Sequence, residues 1–556
     1  MIELECLPYG VNHANEGVCL LVQIGPYRIM LDCGLANISS LQVGSKQKQP
    51  ADLVLISHAH PDHARGLLAL HQAFPQLPIY ASEVTTQLLS LNWPQEDPKQ
   101  IPLFCQALPW RSPVEFQDGL CAELFPAGHL PGAAAIRLSY TTPAPGRTYT
   151  LVYTGDFFLS NSRLVEGLPL DSLRGIEPDV LIIEGSYGTA RHPHRRQQEN
   201  QLSERISRAI ATGQSVLLPV PTLGLGQEIL MLLRSHHLFT GRDINIWVDG
   251  IVAAGCDAYL NLLPHLPTSV QNFSRHQPLF WDERIRPRVR RLLPEQRRQI
   301  GQSPCIVLTH ETADLEEYCH SDRNSWLILL PQRPGRSQST EVTGISETAE
   351  TQNDRLINIE TYLLAEHSDG PGTTQLIHNL RPQHIVFIHG SPTYLADLTG
   401  LDELQNRYHL HSPNAGTLVE LPIGETFIQP AAPETNYEGE LTELGTVVTI
   451  ALPDTITADP RWQNFADTGL VEARWQGEEL VLRGISQREL LTQGSDRLSA
   501  DLACCGNCLH QRGQRCWNQA SPLFGFKVTP DGYCPVFEPP TSSSPSFKVD
   551  DQNNDN

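Results

Sequence analysis

Short apolar runs of strand length alternate with segments of helix length along most of the chain. The pattern predicts a hairpin around Gly25-Pro26, then strands over residues 51–57 and 79–81 and helices over residues 65–74 and 84–91. Strands that alternate with helices in this way are typical of a layered α/β domain.

The alternation starts again after residue 190. Helix-length segments occupy residues 199–211 and 224–235, and apolar runs of strand length lie at residues 215–220, 244–248, 305–309 and 328–331. This pattern predicts a second α/β module.

The last part of the chain has a different character. Residues 430–433 read Pro-Ala-Ala-Pro and form a linker, and residues 436–500 combine strand signals at 446–452 and 480–482 with helices. No motif in residues 436–500 indicates a function.

Composition and charge limit the possible functions. The chain has 556 residues, of which 40% are hydrophobic, so it is long enough for two or three domains with their own cores. Its net charge of −22 excludes nonspecific adhesion to nucleic acid by the surface as a whole. A polyanionic partner therefore needs a local basic patch.

Cysteine use and the N-terminal residues bear on location. Of the 13 Cys, eight are scattered singly between Cys6 and Cys319, which is not a disulfide pattern and favours a reducing compartment. The chain does not start with a basic segment followed by an apolar core, and no apolar run reaches the ~18 residues typical of a membrane span. We expect a cytoplasmic protein without a membrane partner.

The candidate chemistry begins directly after the predicted strand 51–57, in the segment SHAHPDH (residues 57–63). His58 and His60 are two residues apart in an extended segment and project to one side, while Pro61 opens a helix whose first turn carries Asp62 and His63. Packing alone rarely places so many polar side chains beside a buried strand, because each would be desolvated. Imidazoles and a carboxylate divided between two close positions suit a dinuclear zinc centre.

Three single residues extend this set. Asp32 follows the strand signal at residues 27–31 and is a candidate to accept the N–H of a metal-bound imidazole; the alternative is an ordinary turn aspartate. His129 lies in the segment PAGHLPG, where little side-chain bulk obstructs a metal. Asp156 follows a predicted strand, and a carboxylate at that position could bridge two ions.

One segment has a charge opposite to that of the whole chain. Between Trp281 and Ile300, seven Arg stand against three acidic residues, which gives a local charge of +4. Such a run is either a solvated face or a track for a polyanion, and we favour the track because guanidinium groups suit phosphate. The candidate nucleic-acid contacts are Arg284, Arg286, Arg288, Arg290 and Arg291.

A family resemblance covers about residues 1–425 and depends on six motifs in order. The segment at residues 58–63, His129 and Asp156 resemble the metal motifs of the metallo-β-lactamase fold. The segments EGSYG (residues 184–188) and AEHSD (residues 365–369) and the residue His389 resemble the three motifs of the β-CASP insertion. The chain therefore resembles β-CASP nucleases, above all the nuclease subunit of mRNA 3′-end processing and its prokaryotic relatives.

The resemblance implies a fold and a metal site. The fold class would be α/β: a metallo-β-lactamase αββα sandwich with an inserted β-CASP α/β domain and a small C-terminal Cys-rich module. By resemblance, two zinc ions would be held by two sets of three ligands with one bridging carboxylate: His58, His60 and His129; Asp62, His63 and His389; and Asp156 as the bridge.

The resemblance also implies zinc-dependent hydrolysis of RNA phosphodiester bonds in RNA processing or decay. Hydroxide would attack the phosphorus, His367 would stabilise or protonate the leaving oxygen, and Glu184 would orient His367. A His at position 389 is typical of RNA-directed members, whereas DNA-directed members carry an apolar residue. Endonuclease and exonuclease action stay open, as does the oligomeric state, with a homodimer as one alternative.

Two other functions share part of this pattern. A small-molecule metallo-hydrolase, such as a glyoxalase-like thioesterase, has the metal motif but needs no long insertion between Asp156 and His389. An inactive RNA-binding subunit would have lost metal ligands, whereas all of them are present here.

The C-terminal cysteines predict a separate metal site. Cys505, Cys508, Cys516 and Cys534 supply four thiolates, with glycines between them for tight turns, and Cys504 is an alternative to Cys505. Such a set holds structural zinc or an iron–sulfur cluster, and the spacing does not choose between them, although we place zinc first.

The expected domain boundaries follow from these patterns. They are a metallo-β-lactamase domain over residues 1–190 with a return segment over 356–428, a β-CASP insertion over 191–355, a C-terminal domain over 436–500, a Cys-rich module over 501–540 and a disordered tail over 541–556.

Overall fold

The computed structural model describes residues 4–12, 16–42, 49–97, 99–143, 146–319, 325–332 and 357–424, and parts of the region between residues 441 and 538. The chain divides into two compact units, residues 1–432 and residues 433–556, and each is described by itself.

Two seven-stranded sheets form the centre of the first unit. The first sheet contains β1 Leu4–Asn12, β2 Gly17–Ile24, β3 Tyr27–Leu31, β4 Leu53–Leu55, β5 Ile79–Ser82, β6 Cys105–Leu108 and β20 Val419–Glu420. The second contains β7 Val114–Gln117, β8 Leu120–Pro126, β9 Ala134–Thr141, β10 Thr148–Tyr153, β11 Val180–Glu184, β18 His384–Ile388 and β19 His409–His411. Their strand orders are β20-β1-β2-β3-β4-β5-β6 and β19-β18-β11-β10-β9-β8-β7.

The two sheets pack face to face because alternate residues of their strands are apolar. In β2, Leu20 and Val22 point into a core that also contains Ile136 and Leu138 of β9. Cys19, which precedes Leu20, and Leu21, which lies between Leu20 and Val22, belong instead to a second core under the outer helices. The period of two along β2 thus assigns its side chains to the two faces of one sheet.

Helices cover the outer faces of both sheets. They are α1 Pro61–Ala64, α2 Leu67–Ala73, α3 Glu83–Leu88, α4 Leu170–Leu173, α9 Gly370–Leu380, α10 Pro392–Thr399 and α11 Asp402–Gln405. Leu67 and Leu70 of α2 belong to the same core as Val54 and Ile56 of the first sheet. The result is an αββα sandwich, which confirms the predicted fold class.

A second module is inserted between β11 and β18. It contains one six-stranded parallel sheet, built from β12 Ser215–Val220, β13 Asn245–Asp249, β14 Arg288–Leu292, β15 Cys305–His310, β16 Trp326–Pro331 and β17 Ile357–Tyr362. The strand order is β14-β13-β15-β12-β16-β17. Its helices are α5 Arg195–Ala211, α6 Leu225–Ser235, α7 Gly250–Asn261 and α8 Thr268–His276. This is the inserted α/β module that the sequence predicts.

Two segments differ from their predicted form. Strand β17 pairs with β16 along its length, so the chain returns to the sandwich only after Tyr362 and not at residue 356. The helix predicted over residues 65–74 begins only at Leu67. Gly66, just before it, donates its backbone N–H to the carbonyl of Cys33 and so does not continue the short helix α1 into α2. A side chain at Gly66 would collide with Cys33 and with Leu35.

The second unit is smaller. Its described strands are β21 Leu441–Leu444, β22 Val447–Ala451, β23 Leu470–Gln476 and β24 Glu479–Gly484, which form one antiparallel sheet, and the short strands β25 Gln511–Arg512 and β26 Arg515–Cys516. No helix occurs in the part of this unit that the structure describes. Cys504, Cys505, Cys534 and the tail over residues 541–556 lie outside the described residues, so the Cys-rich module and the disordered tail stay predictions.

No helix among the described residues has both the length and the apolar character needed to cross a bilayer.

Candidate metal centre

The predicted ligands meet at one edge of the sandwich because several strands end there. Strands β10, β11 and β18 are parallel neighbours, so their carboxyl ends lie side by side. Strands β8 and β10 both run antiparallel to β9, which brings the end of β8 to the same edge. The functional side chains at or just after these strand ends and that of β4 are His58, His60, Asp62, His63, His129, Asp156, Glu184 and His389.

Two glycines allow the loops at this edge to approach one another. A Cβ atom at Gly34 would lie 1.6 Å from the carbonyl oxygen of Asp62, and one at Gly155 would lie 2.5 Å from the Cβ of Ser57. Gly155 also has a φ of +55°, in the left-handed region that favours glycine. The absence of these two side chains permits the metal-motif loop to sit against its neighbours.

Three overlapping groups of potential ligand atoms occupy this edge. Within each group the atoms lie within 4.8 Å of one another. The groups are His58, His60, His129 and Asp156; Asp62, His63 and His389; and Asp156, Glu184, His367 and His389.

Asp156 lies between the first two groups. One carboxylate oxygen, Oδ2, is 3.5 Å from His58 Nε2, and the other, Oδ1, is 3.4 Å from His63 Nε2 and 3.3 Å from His389 Nδ1. The side chain is only 2% exposed. Its two oxygens therefore face two different sets of imidazoles, as a bridging carboxylate does.

Backbone carbonyls orient two of the imidazoles. His129 Nδ1 donates to the carbonyl of Glu366 at 2.8 Å, and His60 Nε2 lies 3.4 Å from the carbonyl of Leu223, so in each ring the other nitrogen carries the lone pair. Those lone-pair atoms, His129 Nε2 and His60 Nδ1, are 3.0 Å apart. His60 Nδ1 is also 3.2 Å from His58 Nε2, so three nitrogen ligands converge.

Asp32 orients His63. Its Oδ2 accepts from His63 Nδ1 at 2.7 Å, from the hydroxyl of Ser57 at 2.7 Å and from the hydroxyl of Tyr153 at 2.6 Å. Its Oδ1 accepts from the backbone N–H of Ser57 at 2.7 Å. The Ser57 hydroxyl in turn accepts from His58 Nδ1 at 3.0 Å. One buried carboxylate thereby fixes the orientation of His63 directly and that of His58 through Ser57.

Two buried atoms at the centre lack hydrogen-bond partners. They are His63 Nε2 and Asp156 Oδ1. Leaving one such polar atom unsatisfied costs ~1–3 kcal/mol, more for a charged group. A divalent cation accepts both lone pairs at once, so the residues present fit a metal ion.

The nitrogen-rich side of the centre consists of neutral donors. Burial lowers the pKa of His60 and, further, that of His58, and takes the pKa of His129 to about 3. Neutral imidazole is the form that binds metal, since the lone pair must be free of a proton.

The carboxylate-rich side attracts positive charge. Burial alone would lower the pKa of His389, but Asp156 and Asp62 outweigh it and raise that pKa to about 10. Burial would likewise raise the pKa values of Asp62 and Asp156, yet neighbouring histidines, chiefly His63 for Asp62 and His389 for Asp156, hold both well below their usual range. A metal ion can supply the positive charge that protons supply here.

Glu184 and His367 form a pair beside Asp156. His367 Nδ1 lies 2.9 Å from Glu184 Oε2 and 3.9 Å from Asp156 Oδ2. Burial opposes protonation of His367, but Glu184 outweighs it and raises the pKa of His367. Glu184 also accepts from the hydroxyl of Ser186 and, at 2.7 Å, from the backbone N–H of Phe157. The predicted orienting contact between Glu184 and His367 is present in the structure.

The arginines of the predicted track lie on β14 and just before it. Their ion pairs with other described residues lie inside the inserted module: Arg284 with Asp282, Arg286 and Arg288 with Asp243, Arg290 with Glu283, and Arg291 with Asp257. These carboxylates reduce the local positive field that composition alone indicates. Binding of nucleic acid by this segment stays a prediction.

Sequence reasoning missed several residues that orient the ligands. Ser57 and Ser186 lie within the motif segments at residues 57–63 and 184–188 but had been given no role, and Tyr153 ends β10 just before Asp156, so position alone could have indicated them. Leu223 and Glu366 act through their backbone carbonyls, for which the side-chain pattern carries no signal.

Two of the four predicted C-terminal metal ligands, Cys508 and Cys516, belong to the residues that the structure describes. Cys516 is buried, Cys508 is half-buried, and both are free thiols. Their predicted partners Cys505 and Cys534 lie outside the described residues, so the site is a prediction.

The fold and this cluster define a metal centre of the metallo-β-lactamase type, and comparison with known proteins agrees. The beta-lactamase superfamily domain matches residues 27–211. An uncharacterised protein of Synechocystis sp. is 51% identical over 97% of both chains. A probable RNase of Methanocaldococcus jannaschii is 29% identical over 46% of this chain and 61% of its own length, and a ribonuclease of Thermus thermophilus is 30% identical over 42% and 55%.

The chain belongs to the β-CASP family of metallo-β-lactamase-fold nucleases. It spans roughly half to two thirds of the two relatives that are named as RNases, and the match to each covers less than half of this chain.

The Asp32 contacts generate a prediction about metal affinity. In Asp32→Asn, the amide cannot accept hydrogen bonds at both terminal atoms, so His63 loses its orientation and metal affinity falls about 10- to 100-fold. Competition with a chromogenic chelator measures this. The control is Asp52→Asn, which changes a carboxylate that accepts the backbone N–H of Arg28 in the same sheet. The milder Tyr153→Phe should shift affinity in the same direction, and equal affinities in all three variants would contradict the role of Asp32.

Proposed function

We propose that this protein is a zinc-dependent ribonuclease that hydrolyses RNA phosphodiester bonds in RNA processing or decay. The observation that carries the proposal is the buried Asp156 carboxylate, whose two oxygens face separate sets of imidazoles. One of these oxygens, Oδ1, lacks a hydrogen-bond partner. The names of two relatives, both RNases, support RNA as the substrate.

We assign the ligands to two zinc ions. His58, His60 and His129 would hold one ion. Asp62, His63 and His389 would hold the other, and Asp156 would be shared. The grouping of these ligand atoms supports the assignment. Zinc suits these nitrogen and oxygen ligands, and a pair of such ions supplies a nucleophile at neutral pH and Lewis-acid stabilisation of the phosphate.

His367 is the proposed proton donor to the leaving oxygen. Glu184 holds Nδ1 of His367, which leaves the opposite ring nitrogen to address a substrate. Because Glu184 raises the pKa of His367, the imidazole keeps its proton closer to neutral pH, as a general acid must. His367 also belongs to the third group of potential ligands, so its role as acid and a role as ligand predict different results on substitution.

The inserted module argues against a small-molecule hydrolase. It is a complete sheet with its own helices, and the carbonyl of its residue Leu223 contacts the metal ligand His60. An inactive RNA-binding subunit is disfavoured because every expected ligand is present. We place the protein in the cytoplasm, which the free thiols among the described cysteines support. A homodimer stays one alternative for its assembly.

Metal analysis of the full chain should return about three zinc ions, two at the dinuclear centre and one at the C-terminal cysteines. The double variant Cys508→Ser/Cys516→Ser should contain about two, because it removes two thiolate ligands. As a control, Cys105→Ser/Cys121→Ser changes two cysteines of the sandwich and should leave the metal content unchanged. Iron and sulfide in place of the third zinc would identify a cluster, whereas one metal or none in the first variant would contradict the dinuclear centre.

Substitution of His367 should separate catalysis from metal binding. His367→Ala should lower RNA turnover about 10²- to 10⁴-fold with unchanged zinc content, since a general acid is lost and no ligand is. The matched control is His378→Ala, because His378 contacts Tyr408 and no residue of the centre. Asp62→Ala should abolish cleavage, and DNA of the same sequence should be a poorer substrate than RNA.

The result for His367→Ala decides between its two roles. Loss of one zinc ion would make His367 a ligand, and undiminished turnover would remove it from the mechanism. Equal cleavage of RNA and DNA would contradict the specificity inferred from His389.

The arginine segment should contribute to RNA affinity if it contacts phosphates. Neutralising Arg288, Arg290 and Arg291 to Gln would then lower the slope of log affinity against log salt by about 0.7 per contact for single-stranded RNA. Neutralising Arg205, Arg208 and Arg242, elsewhere in the module, provides the control. An unchanged slope would show that these arginines make no phosphate contacts, because their carboxylate partners within the module already neutralise them.

A further inference from the structure

The chain leaves the inserted module through residues 363–369, which pass directly beside the metal centre. This segment supplies two groups to the centre: the carbonyl of Glu366, which accepts from His129 Nδ1 at 2.8 Å, and the imidazole of His367, whose Nδ1 lies 2.9 Å from Glu184. The segment belongs to no helix or strand, so regular backbone hydrogen bonding does not fix its position. Other contacts must hold the two groups in place.

Side chains of helix α5 hold the peptide groups on both sides of Ala365. Arg195 Nη1 donates to the carbonyl of Ala365, and Gln198 Oε1 accepts the backbone N–H of Ala365 at 2.8 Å. Gln198 is itself fixed, because its Nε2 donates to the carbonyl of Pro193 at 2.6 Å. Since a peptide group is planar and moves as one unit, these bonds determine the path of the backbone up to Glu366.

A second anchor fixes the segment directly after His367. The backbone N–H of Ser368 donates to the carbonyl of Phe157 at 2.9 Å, and the hydroxyl of Ser368 accepts the backbone N–H of Leu159 at 3.0 Å. The carbonyl that orients His129 and the imidazole of His367 therefore lie between two anchored points, the first of which is made by α5.

Arg195 is buried between two carboxylates. Its side chain is 9% exposed, with Nη2 at 3.4 Å from Glu228 Oε2 and Nε at 3.5 Å from Glu199 Oε1. Glu228 also accepts the backbone N–H groups of Arg163 and Leu164, which ties the guanidinium to the sandwich. A buried ion pair often stabilises a fold no better than apolar side chains of the same volume, so stability alone does not account for an arginine here. The planar guanidinium instead fixes three acceptors in defined directions, two carboxylates and one backbone carbonyl.

We propose that Arg195 is a positioning residue of the metal centre. By holding the carbonyl of Ala365, its guanidinium sets the orientation of the zinc ligand His129, through Glu366, and the place of His367. Gln198 supports the same peptide from its other side. The inference deepens the ribonuclease proposal, on which its catalytic part rests, whereas the effect on His129 requires only that zinc binds at the centre.

The first measurement is the zinc affinity of the full chain, by competition with a chromogenic chelator. Arg195→Met should lower the affinity for one of the two catalytic zinc ions about 10- to 100-fold, because His129 loses its fixed orientation. Arg195→Lys should bind zinc more tightly than Arg195→Met, since an ammonium can still donate to the carbonyl. The absorption spectrum of the Co²⁺-loaded protein, which depends on ligand geometry, should change in the same order. Both carboxylates keep other partners, Arg163 for Glu199 and the hydroxyl of Ser162 for Glu228, so the variants should fold.

Gln198→Met is a second test that leaves every ion pair intact. It removes the acceptor of the Ala365 N–H and should lower zinc affinity in the same direction as Arg195→Met, so it decides the question if that variant does not fold.

The matched control is Arg163→Gln. Arg163 Nη2 donates to Glu199 Oε2 at 2.6 Å in the same ion network, and no described hydrogen bond joins Arg163 to residues 363–369. Arg163→Gln should therefore leave zinc affinity unchanged, whatever its effect on the melting temperature.

Cleavage of RNA tests the effect on His367. In zinc-saturated Arg195→Met, kcat should fall about tenfold or more with little change in KM, because the proton donor is displaced while no contact with RNA is removed. Arg163→Gln should keep both kinetic constants.

The outcomes separate the two proposals. Unchanged zinc affinity in folded Gln198→Met and Arg195→Met would overturn the positioning role, even if the unmodified chain cleaves RNA. An equal loss of affinity in Arg163→Gln would also overturn it, because the network would then act only through overall stability. If Gln198→Met and Arg195→Met bind zinc more weakly but the unmodified chain cleaves no RNA, the positioning of His129 stands and the ribonuclease proposal fails.

Discussion

The structure depends on the burial of metal-ligand atoms that no hydrogen bond within the protein satisfies. Asp156 Oδ1 and His63 Nε2 lie 3.4 Å apart in the interior without a hydrogen-bond partner. Burying these two atoms costs free energy, and a cation that binds both offsets that cost. The same need explains why carboxylates raise the pKa of His389 to about 10 at this point and burial lowers that of His129 to about 3. The site is built to exchange protons for metal.

In the sandwich, the backbone is strained at two strand ends beside the metal centre. Asp32 and His389 both have positive φ angles, of 59° and 53°, which non-glycine residues rarely adopt. Backbone strain of this kind persists only where surrounding contacts determine it. Asp32 accepts four hydrogen bonds, and the backbone N–H of His389 donates to the carbonyl of Val11.

The inserted module takes part in the metal centre and is not an appendage. The carbonyl of Leu223 orients His60, and a carboxylate of the module, Glu228, accepts the backbone N–H groups of Arg163 and Leu164 in the sandwich. A change in the position of the module would therefore alter the orientation of a metal ligand. Metal binding and the packing of the two modules are therefore coupled through these contacts.

The sequence by itself determined an α/β architecture, because strand and helix periods are local, and the ligand types, because His58 to His63 are close in the chain. The αββα sandwich with its insertion followed from the resemblance of the motifs to a known family. The sequence did not determine which atoms meet: His389 and Asp62 lie 3.2 Å apart although 327 residues separate them. Charge illustrates the limit best. The arginines near β14 count as +4 in the sequence, yet carboxylates from other segments, Asp243 and Asp257, pair with them. Only the tertiary structure decided these pairings, since electrostatic effects depend on distance and solvent exposure and not on order in the chain.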